Sequence, residues 1–401
     1  MKKLLSLLAA ALLLPAVASA DALKNVTLTG DIQTIGTGVR HNHYGTNNRG
    51  TFVRALTGLS ADLVEDVTAN LTFAYSNVWG TDDHAGKDVD TYLGEIYVVE
   101  GNVVLHNLFC GLEAKIGRQF YGDEDSAVMY IGPNHYNSDY GSEVFSLDAA
   151  KVTYSDDVKT LTLLAGRVNN SHMWVWTSDP NIVVSVYGAD LKLNVTDALT
   201  AQVYGYDVDE PGSPNGRYTG FYGAKLALDG AVRLSAEYAR NFGGDRLVKE
   251  HKNTGHMVKV DAATDVKAVT VRGTFYYANG KFEALGNYTP GLLVGHRLGG
   301  SIYDYTDGKG VALFNVGMDF KPADKWTVSL DGYSFQNHRM KHAATLEADL
   351  TAKYAHNEYV ELFAGLGYAK YTASDPDATD FHTSTVGPDN VKAQLGMLIK
   401  F

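Results

Sequence analysis

A single cysteine, Cys110, is the only thiol in this chain, so no internal disulfide can form and the fold must hold without one. Proline is scarce, nine in 401 residues, which leaves the backbone donors needed for long hydrogen-bonded ladders. Beyond the first twenty residues no apolar run reaches the roughly 20 positions that a spanning helix requires. A membrane location therefore demands a closed β-barrel, the other structure that satisfies every backbone group in lipid. Basic residues are outnumbered, 34 against 46 acids, and an acidic surface of that size excludes nucleic acid as an expected partner.

What is present begins with a leader. Lys2 and Lys3 precede an apolar stretch from Leu4 to Val17, which ends in Ala18-Ser19-Ala20. A charged start, a short apolar core and a small-x-small site make a secretory signal peptide, expected to be removed after residue 20. The leader holds two of the 34 bases and no acid, so residues 21–401 keep 32 bases against 46 acids, a formal charge of −14. Cys110 lies too far from that site to carry a lipid anchor and reads as a small apolar residue.

The repeated signal in residues 21–401 is apolar/polar alternation over about ten positions, the period of strands with two different faces. It predicts eighteen strands near 25–35, 52–63, 67–78, 92–100, 110–118, 146–155, 159–168, 182–194, 199–207, 218–228, 231–242, 256–263, 266–277, 310–320, 326–336, 343–355, 359–371 and 390–401. Short Asp-, Asn-, Gly- and Pro-bearing turns, Thr264-Asp265 among them, alternate with longer connections such as 119–145 and 278–309. Long on one side and short on the other is the rhythm of extracellular loops and periplasmic turns. The stretch 101–109 is too apolar for a turn and could extend one strand. All eight remaining prolines, Pro322 included, fall in the expected connections. Aromatic residues gather near strand ends, with Tyr75, Tyr206, Tyr238 and Phe242 towards the loops and Trp326, Tyr354 and Tyr359 towards the turns, as two membrane interfaces would select. The expected fold is all-β: a transmembrane antiparallel barrel of about 18 strands in the outer membrane.

Parity sorts the two faces. Val391, Ala393, Leu395, Met397, Ile399 and Phe401 form one lipid-facing row, and Ala344, Leu346, Ala348, Leu350, Ala352 and Tyr354 another. The other parity supplies the expected pore lining: Arg54, Glu95, Lys115, Lys151, Lys192, Lys225, Arg233, Arg272 and Asp349. Strict alternation puts Arg118 and Arg167 with the lipid-facing residues, which is costly in hydrocarbon. Each follows a glycine, Gly117 or Gly166, where a bulge could turn the side chain into the pore; a place above the bilayer edge is the alternative. Both are counted here with the lining. Phe401, closing the last strand, is expected to serve recognition by the barrel assembly machinery.

Leu93-Gly94-Glu95-Ile96-Tyr97, Ile116-Gly117-Arg118-Gln119 with Gly122-Asp123 after it, and Leu147-Asp148-Ala149-Ala150-Lys151-Val152-Thr153-Tyr154 resemble, in order, motifs of the alginate-export family of outer-membrane porins. The resemblance covers 93–154 and implies an eighteen-stranded barrel with a narrow, strongly basic pore and an inward Arg118. Here Leu147 and Lys151 stand where that family has Phe and Arg. The expected inward acids and bases are also nearly balanced, so alginate is not carried over as the solute.

Taken together, the residues imply a channel passing small hydrophilic or charged solutes, with outer-membrane lipid and lipopolysaccharide around it and no cofactor or metal. A structural or adhesive barrel working through its loops is the alternative. An outer-membrane hydrolase is set aside: His135, Ser138 and Asp139 are neighbours in sequence, which is not triad geometry. The segment 119–145 is the candidate constriction, because Val128-Met129-Tyr130-Ile131 and Phe120, Tyr121, Tyr136 and Tyr140 need cover that the inner wall can supply. The longer 278–309 competes for that role. Monomer and trimer both remain open.

Overall fold

The structure is a computed structural model that describes residues 23–41, 47–79, 96–134, 144–168, 184–210, 217–245, 254–279, 282, 284–293, 310–337, 345–370 and 389–401. The leader, Glu95, His135, Ser138, Asp139, Tyr136 and Tyr140 lie outside these residues. In chain order the strands are β1 (Lys24–His41), β2 (Asn47–Val64), β3 (Val67–Trp79), β4 (Ile96–Leu108), β5 (Leu112–Gln119), β6 (Tyr121–Gly122), β7 (Tyr130–Ile131), β8 (Leu147–Ser155), β9 (Lys159–Val168) and β10 (Val184–Asn194). They continue as β11 (Leu199–Glu210), β12 (Arg217–Leu228), β13 (Val232–Asp245), β14 (His256–Val266), β15 (Val269–Asn279), β16 (Gly310–Ala323), β17 (Trp326–Asn337), β18 (Thr345–Ala355), β19 (Val360–Lys370) and β20 (Asp389–Lys400). Among the described residues, all except β6 and β7 belong to one eighteen-stranded antiparallel sheet, which closes where β20 pairs with β1.

Alternation along each strand becomes two faces of the wall. On β20, Val391, Ala393 and Leu395 lie on the face opposite the buried Lys392 and Gln394; on β18, Leu346, Ala348 and Leu350 alternate with buried Glu347 and Asp349. Leu330, Leu350 and Leu366 lie side by side on three strands, 48%, 47% and 51% exposed, so the outward row is apolar across the sheet. The inner row carries most of the charge.

Two of the short connections share one chemistry. Asp156 accepts the Val158 and Lys159 N–H groups at 2.9 and 2.8 Å, and Asn357 accepts those of Tyr359 and Val360 at 2.9 and 2.8 Å. These are side-chain-closed turns, in which the carboxyl or amide replaces a backbone acceptor. The Lys159 and Val158 amides hold the Asp156 carboxyl below its ordinary range.

Three local expectations change. Residues 101–108 do extend β4, and the reversal falls on Phe109–Gly111, where Cys110 (φ 61°) and Gly111 (φ 81°) are both left-handed. The turn expected at Thr264-Asp265 lies at Lys267 and Ala268 instead; Asp265 stays on the inner face, tied to Arg233 at 2.7 Å and to Thr270 at 2.6 Å. Pro322 sits inside β16, but past the register shift that follows Phe320, where a bulge relieves it of donating to the ladder.

The lumen as candidate functional site

Two chain segments that belong to no barrel ladder are packed against the inner wall. The first leaves β5 at Gln119, whose side chain is fully buried and donates to the carbonyls of Lys115, Gly117 and Ala149 at 3.2, 3.1 and 3.0 Å. The chain then forms the β6–β7 hairpin. Tyr121 meets the Tyr206 hydroxyl at 3.0 Å, Arg54 donates to the Asn134 carbonyl at 2.8 Å, and Val128, Met129 and Ile131 are buried. Those apolar residues do find cover on the inner side of the wall. Tyr206 is therefore an inward residue, packed on Tyr204 and Phe221, and not a member of an outer aromatic belt.

The second segment, within 282–293, joins the first. Leu285 donates to Val128 at 2.9 Å, Tyr130 to Leu285 at 2.6 Å and Asn287 to Ser126 at 2.8 Å. Phe282, Ala284, Leu285 and Leu293 share one apolar cluster with Met129, Ile131 and inner-wall residues from β8 to β19, including Leu147, Val186, Phe221, Tyr276, Leu313 and Phe335. Hydrophobic burial and side-chain hydrogen bonds, not ladder pairing, hold this pair of segments against the wall.

The inner row is charged and largely paired. Lys115 reaches Glu100 at 3.2 Å, Arg233 reaches Asp265 at 2.7 Å, and Arg272 bridges Asp319 at 3.1 Å and Asp331 at 2.6 Å. Lys225 lies directly across from Glu237, whose carboxylate accepts the Tyr204 hydroxyl at 2.6 Å. Lys151 faces Lys115 in register, and Lys192 faces Thr160 and Gln202. Arg54 is 8% exposed on the inner row of β2. Asp349 is also on the inner row, but only 3% exposed, because Leu292 covers it and donates its N–H at 2.9 Å. Alternation alone does not reveal Glu100 as a lining residue, because the β3–β4 register shifts beside Val99 and reverses the parity of the residues beyond it.

The inward turn expected of Arg118 and Arg167 is not found. Gly117 is left-handed (φ 121°), yet the β5–β8 register runs unbroken through it, so Arg118 stays on the outward row with Ile116. There Asp148 takes it through two bonds of 2.8 and 3.0 Å, and its third contact is the Val98 carbonyl at 3.1 Å. The facing β4 residue is Gly101, which leaves room for the guanidinium to lie across the strand. Asp148 is also the register neighbour of Arg167, on the outward row of β9. Pairing with Asp148 at the loop end of the strands spares Arg118 the cost it would meet near the midplane, and Arg167 lies at the same end. Phe401 exchanges both backbone bonds with Gly30, at 2.9 and 3.0 Å, and its ring is partly exposed.

Among the described residues no group of three or more His, Cys, Asp and Glu side chains could hold a metal ion. No family model matches the sequence, and no curated relative matches it. Solved structures do share the fold. Acinetobacter baumannii OccAB1 aligns over 95% of this chain and 97% of its own, with a TM-score of 0.63 at 12% identity. OccAB4 from the same organism aligns over 96% and 100%, with a TM-score of 0.64 at 9% identity. Pseudomonas aeruginosa OpdO aligns over 95% and 98%, with a TM-score of 0.62 at 10% identity. These neighbours are outer-membrane porins with eighteen-stranded barrels, and the likeness does not extend the resemblance to the alginate-export family.

Proposed function

We propose that this chain is an outer-membrane channel through which small hydrophilic or charged solutes diffuse, and that the two inward segments narrow its lumen. The observation that carries this reading is the contrast between the two faces of one closed wall. Outside, Leu330, Leu350, Val316, Leu395 and their neighbours are exposed in a continuous apolar surface that water would not tolerate. Inside, charged residues of both signs line the wall against which the 119–134 and 284–293 segments pack. Mixed charge favours small polar or zwitterionic solutes over a polyanion, so alginate is not proposed. A signal peptide at 1–20, a surround of outer-membrane lipid and lipopolysaccharide, and assembly by the barrel machinery belong to the same reading. No step in it calls for catalysis.

Proteoliposome swelling tests the reading. Vesicles carrying the refolded barrel should swell in an isotonic solution of a small sugar or amino acid and stay unchanged in a large dextran. Swelling no faster than in protein-free vesicles would remove the channel.

The role of Phe401 has its own test. Because its backbone closes the seam against Gly30, deleting it should lower the amount of assembled barrel in cells while the conductance of those barrels that form stays the same. Undiminished assembly would leave Phe401 as a seam residue without a targeting role.

A further inference from the structure

We propose that the two inward segments form a single gate, and that Glu347 and Asp349 on β18 are the latch that holds it. The inference rests on the channel reading above and adds which residues fix the gate's position.

Glu347 and Asp349 are two apart on one strand, so both point inward, and each is 3% exposed. What covers them is main chain. Asp349 accepts the Leu292 N–H at 2.9 Å, Glu347 accepts the Leu293 N–H at 2.7 Å, and the Tyr333 hydroxyl donates to the Pro290 carbonyl. The two carboxyls are also hydrogen-bonded to each other, so they share a proton and carry one negative charge between them, and bonds to that shared charge are stronger than neutral ones. The wall is also shaped for this stretch. A Cβ on Gly291 would lie 2.8 Å from a Glu347 carboxylate oxygen, and one on Gly367 would lie 3.1 Å from Leu292 Cβ and 2.7 Å from Asp349 Oδ1. Glycine at 291 and 367 therefore lets the segment and the wall approach closely, and a Cβ at 291 would push the Glu347 carboxyl aside. Leu292 itself is buried at 2%.

Coupling to the other segment is equally local. Three backbone bonds tie Ser126, Val128 and Tyr130 to Leu285 and Asn287. Gly286 sits between them, where a Cβ would fall on the Ala127 carbonyl. None of these bonds belongs to the barrel ladder, so the pair can leave the wall as one body without opening the sheet, which is the movement the proposal assigns to it. Glu347 is the nearest charged neighbour of Asp349, and Asp331, across from Asp349, is itself held by Arg272 at 2.6 Å.

The test uses the refolded full barrel in a Cys110→Ser background, with Leu292→Cys as a reporter for a water-soluble thiol reagent. Heat-modifiable gel mobility serves as the control for folding. Glu347→Gln with Asp349→Asn keeps the shape but removes the shared charge and the bond between the two carboxyls, so labelling at 292 should become roughly tenfold faster, about the effect of weakening one buried bond. Single-channel records of the same variant should show a larger or more frequent upper conductance level. Gly291→Val, which leaves both carboxylates in place, should act in the same direction. Gly286→Val should free the 126–130 side and raise conductance while position 292 stays slow to label. Unchanged labelling and conductance in the double variant and in Gly291→Val would overturn the latch while leaving the channel intact. Slow labelling in every variant of a barrel that never conducts would overturn both.

Discussion

Replacing Leu350 with arginine should destabilise the folded barrel by roughly 2 to 4 kcal/mol, the cost of a cation at the midplane of an outward barrel face. Leu350 is the middle residue of β18 and is flanked in register by Leu330 and Leu366, so no carboxylate stands beside it on the neighbouring strands. Arg118 gives the contrast: it tolerates the outward row because Asp148 binds it in two places near the strand's end. Urea titration of refolding into vesicles measures the difference. Asp349→Arg, one residue away but on the inner row, should spare the wall and displace Leu292 and Leu293 instead. If Asp349→Arg proved the more damaging to refolding, the assignment of the two faces of β18 would be reversed.

Deleting residues 124–141 should raise conductance several-fold and reduce discrimination between ions of opposite charge. The deletion removes Val128, Met129 and Ile131 from the inner wall and takes away the partners of Leu285 and Asn287, so the second segment loses its support as well. It leaves untouched all eighteen strands of the barrel, because β7 is not among them. Reversal potentials in a salt gradient report the selectivity. Equal conductance and selectivity before and after would place the narrowest point elsewhere.

Most of the wall is legible in the sequence because alternation is a local property: the strand expected at 159–168 is β9 as found, and the rows through Leu350 and Leu395 face the way their parity indicates. Where expectation and structure part, a distant residue decides the matter. Whether Gly117 bulges or lets Arg118 stay outside depends on Asp148, thirty positions further on and adjacent only across the sheet. Asp265 resembles a turn residue until Arg233 is placed beside it. Tyr206 has the composition of a belt aromatic, but it shares the inner parity of Tyr204 and Val208 on β11, and Tyr121 from the inward hairpin covers it there. The need of 128–131 for cover is visible in the sequence, but its partner at 285–287 is not, since parallel contact between two long connections has no signature in either. For the same reason Asp349 has the pattern of open lining when it is a covered acceptor for Leu292.

Single-channel recording of the refolded chain in a planar bilayer tests the central claim most directly. A pore bounded by a charged inner wall predicts discrete, reproducible current steps that grow with salt concentration and show unequal permeability to cations and anions. A preparation that folds to a heat-modifiable barrel, inserts into the bilayer and passes no current would contradict it.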